Sequence, residues 1–231
     1  MTRQPRPPRL SRQLDAVSDA MLVDDGTWED VVVTGALNGD VLDGGAVVDA
    51  TMLGSVLRDV RLTGGGLSGL TVRDCRLERC ELSGAVLDGA VVTRVEFVDC
   101  RLSGTVLSNA RFNDVRFVDC RLESASFRMA SFDRCEFTRC DLTGSEFYEA
   151  SITRMSLLAS DLTGIDVSRA RLDEVRLHGS TLADIRGGAA LRGAIIGSDQ
   201  IVPMGVIALG ALGIVVDDED DDGDDRSAAI S

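Results

Sequence analysis

Apolar residues recur at every fifth position of this chain from Val32 to Leu182. All 31 members of this series are apolar, although only 44% of the residues in the chain are hydrophobic. Neither an α-helix, with its period of 3.6 residues, nor a flat β-strand, with its period of two, produces such a series. The five-residue repeat therefore constrains the fold more than any other feature of the sequence.

A second series, of smaller side chains, lies two positions before each member of the large series. This small series contains all six cysteines, namely Cys75, Cys80, Cys100, Cys120, Cys135 and Cys140. All seven phenylalanines instead belong to the large series, and every twentieth member from Leu42 to Leu182 is leucine. Residues twenty apart therefore share an environment, so one coil of the chain contains four pentapeptides.

Four pentapeptides per coil predict an all-β fold, a four-sided parallel β-helix in which each side contributes one large and one small inward side chain. About eight such coils, stacked at about 4.8 Å, would form a rod of roughly 37 Å. A Leu-Ser/Thr-Gly motif recurs at the expected corners, where glycine supplies the positive φ of a type II turn. The motif occupies positions 62–64, 82–84, 102–104, 142–144 and 162–164.

The pattern of these pentads resembles that of the pentapeptide-repeat family, often written A(D/N)LXX. The matching stretches are CRLERCELSGAVLDGA, VEFVDCRLSGTVLSNARF and CEFTRCDLTGSEFYEASI. The resemblance covers residues 30 to about 196 and implies a right-handed quadrilateral β-helix. The best understood members of that family, the Qnr-type quinolone-resistance proteins, bind DNA gyrase or topoisomerase IV through an acidic rod that is similar to duplex DNA in shape and charge. The resemblance thus implies a type II topoisomerase as one expected partner.

Four segments are predicted along the chain. Residues 1–29 form an amino-terminal arm and cap, with a short helix from Ser11 to Leu22 and with Trp28 packed over the first coil. Residues 30–196 form the β-helix, whose frame loses one residue at Gly187-Gly188. Residues 197–216 form a carboxyl-terminal capping and dimerisation helix, and residues 217–231 an acidic, disordered tail.

The carboxyl-terminal helix is predicted over residues 200–212, with Ser198-Asp199 as its N-cap and Gly213 as its stop. Its sequence is apolar on all sides but too short to span a membrane. Since one rod end cannot cover so much apolar surface, we expect a homodimer joined by this helix. The expected interface residues are Val206, Leu209 and Leu212.

The formal net charge of −14 argues against a nucleic-acid partner, because phosphate contacts need a basic surface. Half of this charge lies in residues 191–231, mostly in the run from Asp217 to Asp225. The opening MTRQPRPPRL is basic but is not followed by the apolar region of a signal peptide. With no apolar run of membrane-spanning length, we expect a cytoplasmic protein without a membrane partner.

We expect no enzymatic activity, no cofactor and no metal. The single histidine, His178, lies at an outward position near Glu174 and Ser180, where a straight face rarely provides triad geometry. The six cysteines belong to an inward series and contain no CxxC pair, so they are expected to pack as small apolar residues. The stacked phenylalanines are expected to fill the core and to leave no ligand pocket.

Candidate partner-binding residues form two small acidic patches. Asp59, Asp99 and Asp119 surround Arg79 in one patch, and the other contains Glu146, Glu149 and Asp166. Elsewhere the signs alternate in steps of twenty, which favours cross-strand ion pairs; one such ladder is Asp74, Arg94, Asp114 and Arg134, and another is Arg76, Glu96, Arg116 and Glu136. Two functions stay open: a DNA-mimicking modulator of DNA gyrase, and a structural scaffold or interaction module with an unrelated protein partner.

Overall fold

Parallel strands coil into a solenoid in this computed structural model, which describes residues 4–18, 24–36, 46–62 and 65–215. About seven turns are present, followed by one helix. In chain order, the described strands β1 to β14 are Asp15–Ser18, Thr27–Glu29, Val31–Ala36, Ala46–Val48, Thr51–Leu53, Val56–Arg61, Gly66–Ser68, Thr71–Arg73, Arg76–Glu78, Val91–Val98, Arg111–Val118, Ser131–Thr138, Ser151–Leu158 and Arg171–Asp173. Two 3₁₀ turns, Gly188–Leu191 and Ser198–Gln200, precede helix α1, Ile201–Ala211.

Strands in successive coils pair in parallel at a step of twenty residues. Phe97 of β10 lies beside Phe117 of β11, which lies beside Phe137 of β12. This register confirms that one coil contains four pentapeptides, and it brings both the large and the small series into the core. The all-β solenoid predicted from the repeat is confirmed, although with about seven turns where the sequence predicted about eight.

The amino-terminal coils depart from the predicted register. Val33, and not Val32, is the buried residue of β3, and it lies beside Leu57 at a step of 24. Val17 lies beside Val33 at a step of 16, so the two irregular steps together restore the regular phase. The large series is therefore shifted by one residue at this end, where the prediction from Val32 is wrong. Leu37 and Leu42 of that series lie outside the described residues.

The predicted helix from Ser11 to Leu22 is also wrong within the described residues. Residues 15–18 form strand β1, because pairing with β3 places Val17 over the end of the core. Trp28, expected to pack over the first coil, lies in β2 beside Met52 and is partly buried against the core. Parallel pairing therefore extends back into the segment that the sequence assigned to an arm and cap.

Corners recur at every fifth residue, where the backbone takes a left-handed conformation. The predicted type II corners are confirmed at Gly84, Gly104, Gly144 and Gly164, with φ of 66–69°, whereas the predicted corner at Gly64 lies outside the described residues. At Gly84 the turn is closed by the Ala85 amide, which donates to the Leu82 carbonyl at 3.0 Å. Aspartate, asparagine or arginine takes the same conformation at most other corners, at a cost of about 1 kcal/mol or more per residue. These corner residues point their side chains outward and build the surface of the rod.

Phenylalanine rings fill the middle of the core in three stacks, as the sequence predicts. Their centroids lie 4.5–5.0 Å apart within each stack; the stacks are Phe97/Phe117/Phe137, Phe112/Phe132 and Phe127/Phe147. Below them, where the large series is leucine and valine, a cavity of about 40 Å³ remains. Its lining is entirely apolar, so it offers no polar group to a ligand or water.

The carboxyl end of the rod loses one residue of the frame, as predicted, since Arg176 pairs with Ile195 at a step of 19. Gly187 has a φ of 75°, and a Cβ there would meet the Ser168 amide nitrogen at 2.4 Å. Helix α1 ends in the predicted way, with Gly213 left-handed and the Ile214 amide bonded to the Leu209 carbonyl at 2.9 Å. The predicted N-cap is wrong: no side chain caps the start of the helix.

Candidate protein-binding surface

The first predicted acidic patch lies on one corner of the rod and is largely neutralised. Arg79 holds Asp59 with two hydrogen bonds of 2.8 and 2.9 Å, and Arg139 holds Asp119 at 2.6 and 2.8 Å. These guanidinium groups lower the pKa of Asp59 and of Asp119. Asp99 lies on the next coil and interacts electrostatically with Arg79. Each carboxylate of this patch is therefore compensated at least in part by an arginine.

The second predicted patch retains more acidic character. Glu146 and Asp166 lie side by side on one face, and Asp141 and Asp161 do so on the preceding face. Arg128 reaches Glu146 at 3.4 Å, and Arg169 reaches Glu149 at 3.2 Å. Burial would raise the pKa of Asp166, but hydrogen bonds from Ser168 lower it below its ordinary value. Two adjacent faces thus each carry a pair of stacked carboxylates.

The predicted alternating ladders are confirmed as ion pairs. Arg94 holds Asp74 with bonds of 2.6 and 2.5 Å, and Arg134 holds Asp114 at 2.8 and 3.1 Å. On another face, Arg116 lies 3.4 Å from one glutamate and 3.3 Å from the next, Glu96 and Glu136. Residues 46–199 contain 22 acidic residues against 19 arginines, so the regular rod is close to neutral.

Residues 4–10 form an amino-terminal strap that lies along the Asp74–Asp114 ladder. The sequence did not predict this contact. The Arg6 side chain bonds Asp114 through Nε at 2.9 Å and Nη2 at 2.7 Å, and its amide donates to the same carboxylate at 3.2 Å. The Arg9 amide donates to Asp74 at 3.0 Å. Pro5 is buried. The available signal was the spacing of arginine at positions 3, 6, 9 and 12 among prolines.

Burial opposes ionisation of both ladder aspartates, and the arginines overcome it. The Asp114 side chain is 0% exposed, yet bonds from Arg134 and Arg6 hold its pKa far below the ordinary range. Bonds from Arg94 and the Arg9 amide likewise lower the pKa of Asp74. Both groups are therefore ionised at neutral pH, and their charges are held by the arginines of the ladder and by the strap.

A model of the pentapeptide repeat region matches this sequence over residues 70–133 and 130–186, together just over half of the chain. The chain belongs to the pentapeptide-repeat family. Proteins of this family are generally non-enzymatic structural or interaction proteins. No curated protein matches the sequence.

Several solved structures of pentapeptide-repeat proteins are similar to this one at low identity. Full-length QnrB1, a plasmid-mediated fluoroquinolone resistance protein, is 15% identical, with a TM-score of 0.34, covering 82% of this chain and 100% of its own. HetL, involved in heterocyst differentiation regulation in the cyanobacterium Nostoc sp. strain PCC 7120, is 17% identical, with a TM-score of 0.25, covering 77% of this chain and 91% of its own.

The cysteines of this pentapeptide-repeat protein lie inside the rod, where they replace missing backbone hydrogen bonds. At the corner after Leu77, the Cys100 thiol donates to the Leu77 carbonyl at 3.5 Å and accepts from the Cys80 amide at 3.4 Å. Nearer the carboxyl end of the rod, the Ser180 hydroxyl likewise donates to the Leu157 carbonyl and accepts from the Ser160 amide. Burial raises the pKa of Cys75 to about 11 and that of Cys135 to about 12. The column of thiols and hydroxyls at positions 80, 100, 120, 140, 160 and 180, like Cys75 and Cys135 on another side of the coil, is structural.

Gln200 closes the same column, and sequence reasoning missed it. Its buried side-chain amide donates to the carbonyls of Leu177 at 2.5 Å and Ser180 at 2.6 Å. Its Oε1 accepts from the Gly197 amide at 2.9 Å. The signal was present, because Gln200 follows Ser160 and Ser180 at the twenty-residue step.

The residues considered for catalysis do not form a site. His178 is exposed, whereas the Ser180 hydroxyl is buried and bonded to a backbone carbonyl. Among the described residues, no group of three or more histidine, cysteine, aspartate or glutamate side chains could hold a metal ion. In the same part of the chain, no helix is long and apolar enough to cross a bilayer.

Helix α1 packs one side on the rod and leaves the other open. Met204 and Ile207 pack against the core, and Ile207 lies close to Gly188. Of the predicted dimer residues, Val206 is 67% and Leu212 75% exposed, while Leu209 is half-buried. Val202 adds to this face with 77% exposure. The open side is an apolar patch of the kind found at protein interfaces.

Proposed function

We propose that this pentapeptide-repeat protein acts by binding a protein partner along its rod, as a DNA-mimicking modulator of DNA gyrase or another type II topoisomerase. The observation that carries the proposal is the pair of acidic rows, Asp141–Asp161 and Glu146–Asp166, on adjacent faces. One carboxylate per coil corresponds to a charge about every 4.8 Å, comparable with about 3.4 Å per phosphate along one DNA strand. Such rows fit a basic groove that ordinarily holds a duplex.

The length of the binding surface depends on the homodimer. About seven turns at about 4.8 Å give a rod of roughly 34 Å. Two rods joined through the open side of helix α1 would present about 70 Å, with the acidic rows of both copies near the centre. The dimer thereby extends the surface without requiring a longer chain.

Charge complementarity would provide the recognition, and the protein would act in the cytoplasm. Most charges of the rod are paired with one another, and Glu146 itself is held by Arg128. The attraction would therefore come from the other carboxylates of the two rows and from the acidic run from Asp217 to Asp225, which lies outside the described residues. Binding should therefore be moderate and should weaken as salt is raised. We expect partial inhibition of supercoiling.

The test is a gyrase supercoiling assay with the purified protein, with binding measured in parallel at several salt concentrations. Glu146→Gln with Asp166→Asn removes one row, and Asp59→Asn with Asp119→Asn serves as a charge-matched control on the neutralised corner. The first pair of substitutions should weaken binding at least fivefold and the control less than twofold. Absence of inhibition, of protection from a quinolone and of salt-sensitive binding would overturn the proposal and favour a scaffold with an unrelated partner.

A further inference from the structure

The strap is held by hydrogen bonds to two aspartates on the rod. Asp74 and Asp114 each receive two hydrogen bonds from the arginine of the next coil, Arg94 and Arg134, and then a backbone amide from the strap. The Asp114 side chain is completely buried, whereas the Arg6 side chain that covers it is 59% exposed. The strap belongs to none of the described strands. The strap therefore lies on the outside of the solenoid, as a bound peptide ligand would.

The spacing of the strap matches the spacing of the ladder. Asp74 and Asp114 are two coils apart, or about 9.6 Å at about 4.8 Å per coil. Arg6 and Arg9 are three residues apart, or about 9.3 Å at the 3.1 Å rise of a polyproline II helix. This helix makes no internal hydrogen bonds, so its amides are free to donate, and three residues complete one turn. A segment with arginine at every third position thus presents equivalent amides to every second coil.

Charge and composition select the same kind of ligand. The ladder alternates aspartate and arginine, so an acceptor is presented to the strap on every second coil only. Prolines at positions 5, 7 and 8 favour the extended conformation and lack amides that would need partners. Arg6 adds a charge-assisted bond to an aspartate that already holds Arg134.

We propose that the Asp74–Asp114 ladder is a binding site for arginine–proline segments in the polyproline II conformation, and that the strap is its resident occupant. A partner segment with arginine three residues apart would displace the strap and take the same bonds. This site is distinct from the acidic rows. Its test is therefore independent of the test of the proposed function.

The strap competes with an external peptide for the site, so the quantity to measure is the apparent affinity of that peptide. A tethered segment acts at an effective concentration in the millimolar range, so it masks the site from an external peptide of micromolar to submillimolar affinity. Weakening the strap within the full chain should therefore tighten the apparent binding of the peptide by about tenfold or more. A strap with no role in recognition would have no such effect.

The experiment is fluorescence anisotropy with a labelled peptide of sequence TRQPRPPRLSRQ, residues 2–13, titrated with full-length protein. Wild type is compared with Arg6→Glu, which repels the strap from Asp114, and with Arg6→Glu combined with Asp74→Asn, which removes the negative charge of one acceptor and replaces one of its two oxygens by a donor. Arg6→Glu combined with Asp99→Asn matches the latter in charge but alters a different corner. A peptide of the same composition with its four arginines contiguous controls for unspecific attraction to an acidic protein. Thermal unfolding of every variant verifies that the rod is folded.

We expect Arg6→Glu to bind the peptide at least tenfold more tightly than wild type, Asp74→Asn to abolish this gain, and Asp99→Asn to retain it. The contiguous-arginine peptide should bind at least fivefold more weakly to Arg6→Glu than the natural spacing does. Equal binding of both peptides, or equal binding by wild type and Arg6→Glu, would overturn the proposal.

Discussion

Nε2 of Gln200 lies 2.6 Å from the carbonyl oxygen of Ser180, the residue twenty positions earlier. Inside the rod, the Ser180 hydroxyl donates to the Leu157 carbonyl of the coil below it, and the Ser160 hydroxyl donates to the Leu158 carbonyl of its own coil. Gln200 performs the same task with a longer side chain, because the chain has by then left the frame at Gly187 and begun the capping helix. The last coil therefore ends with its inward carbonyls satisfied.

Replacing Gln200 by methionine should destabilise the carboxyl end of the rod. The substitution preserves volume but leaves the carbonyls of Leu177 and Ser180 without the amide, at about 1–3 kcal/mol for buried groups. Chemical denaturation measures the loss, and hydrogen exchange should localise it to residues 175–196. Ser198→Ala, a neighbouring change at an exposed residue without a capping bond, should alter stability by less than about 0.5 kcal/mol. Equal effects would show that the amide contributes little.

The cysteines of the column act as hydrogen-bond donors inside the core, so a substitution there must preserve the donor as well as the volume. The single S–H of Cys120 is shared between two carbonyls, those of Phe97 at 3.5 Å and Val118 at 3.3 Å. Serine keeps a donor, as at position 160, whereas alanine loses it and leaves a small void. We expect Cys120→Ala to lower the free energy of unfolding by about 1–2 kcal/mol and Cys120→Ser to cost less. A greater loss for serine, measured by the same denaturation curves, would show that the position is apolar in character only.

Acid should weaken the protein through Asp114. Its pKa is depressed in the folded state by Arg134 and Arg6, so its contribution is complete above the unfolded pKa of about 3.9 and is lost as the pH falls towards the folded value. Removing one partner of a buried pair costs about 3–5 kcal/mol, so we expect Asp114→Asn to cost about 3 kcal/mol at pH 7. The difference from wild type should shrink below about pH 4. Denaturation at pH 7, 5 and 3 measures it, and a constant difference would contradict the assigned cause.

Sequence periodicity predicted the interior of this rod well because burial selects side chains directly. The large series, the small series and the left-handed glycine corners all follow from the twenty-residue coil. The register of Val17 and Val33 could not be predicted, because two irregular steps cancel and leave the later phase unchanged. The strap was missed because its hydrogen bonds join residues 108 and 65 apart, and nothing local to Arg6 or Arg9 indicates those partners. Surface contacts between distant segments leave little periodic trace.

The apolar residues on the open side of helix α1 predict a homodimer. Met204 and Ile207 are used by the protein's own core, so Val202, Val206 and Leu212 are left without cover. Val206→Arg places a charge on this patch without touching the core and should convert a dimer into a folded monomer. Val86→Arg, on a face of the rod, is the matched control and should leave the dimer intact. Sedimentation velocity at micromolar concentration distinguishes the two states, and a wild-type monomer would mean that the helix serves only as a cap.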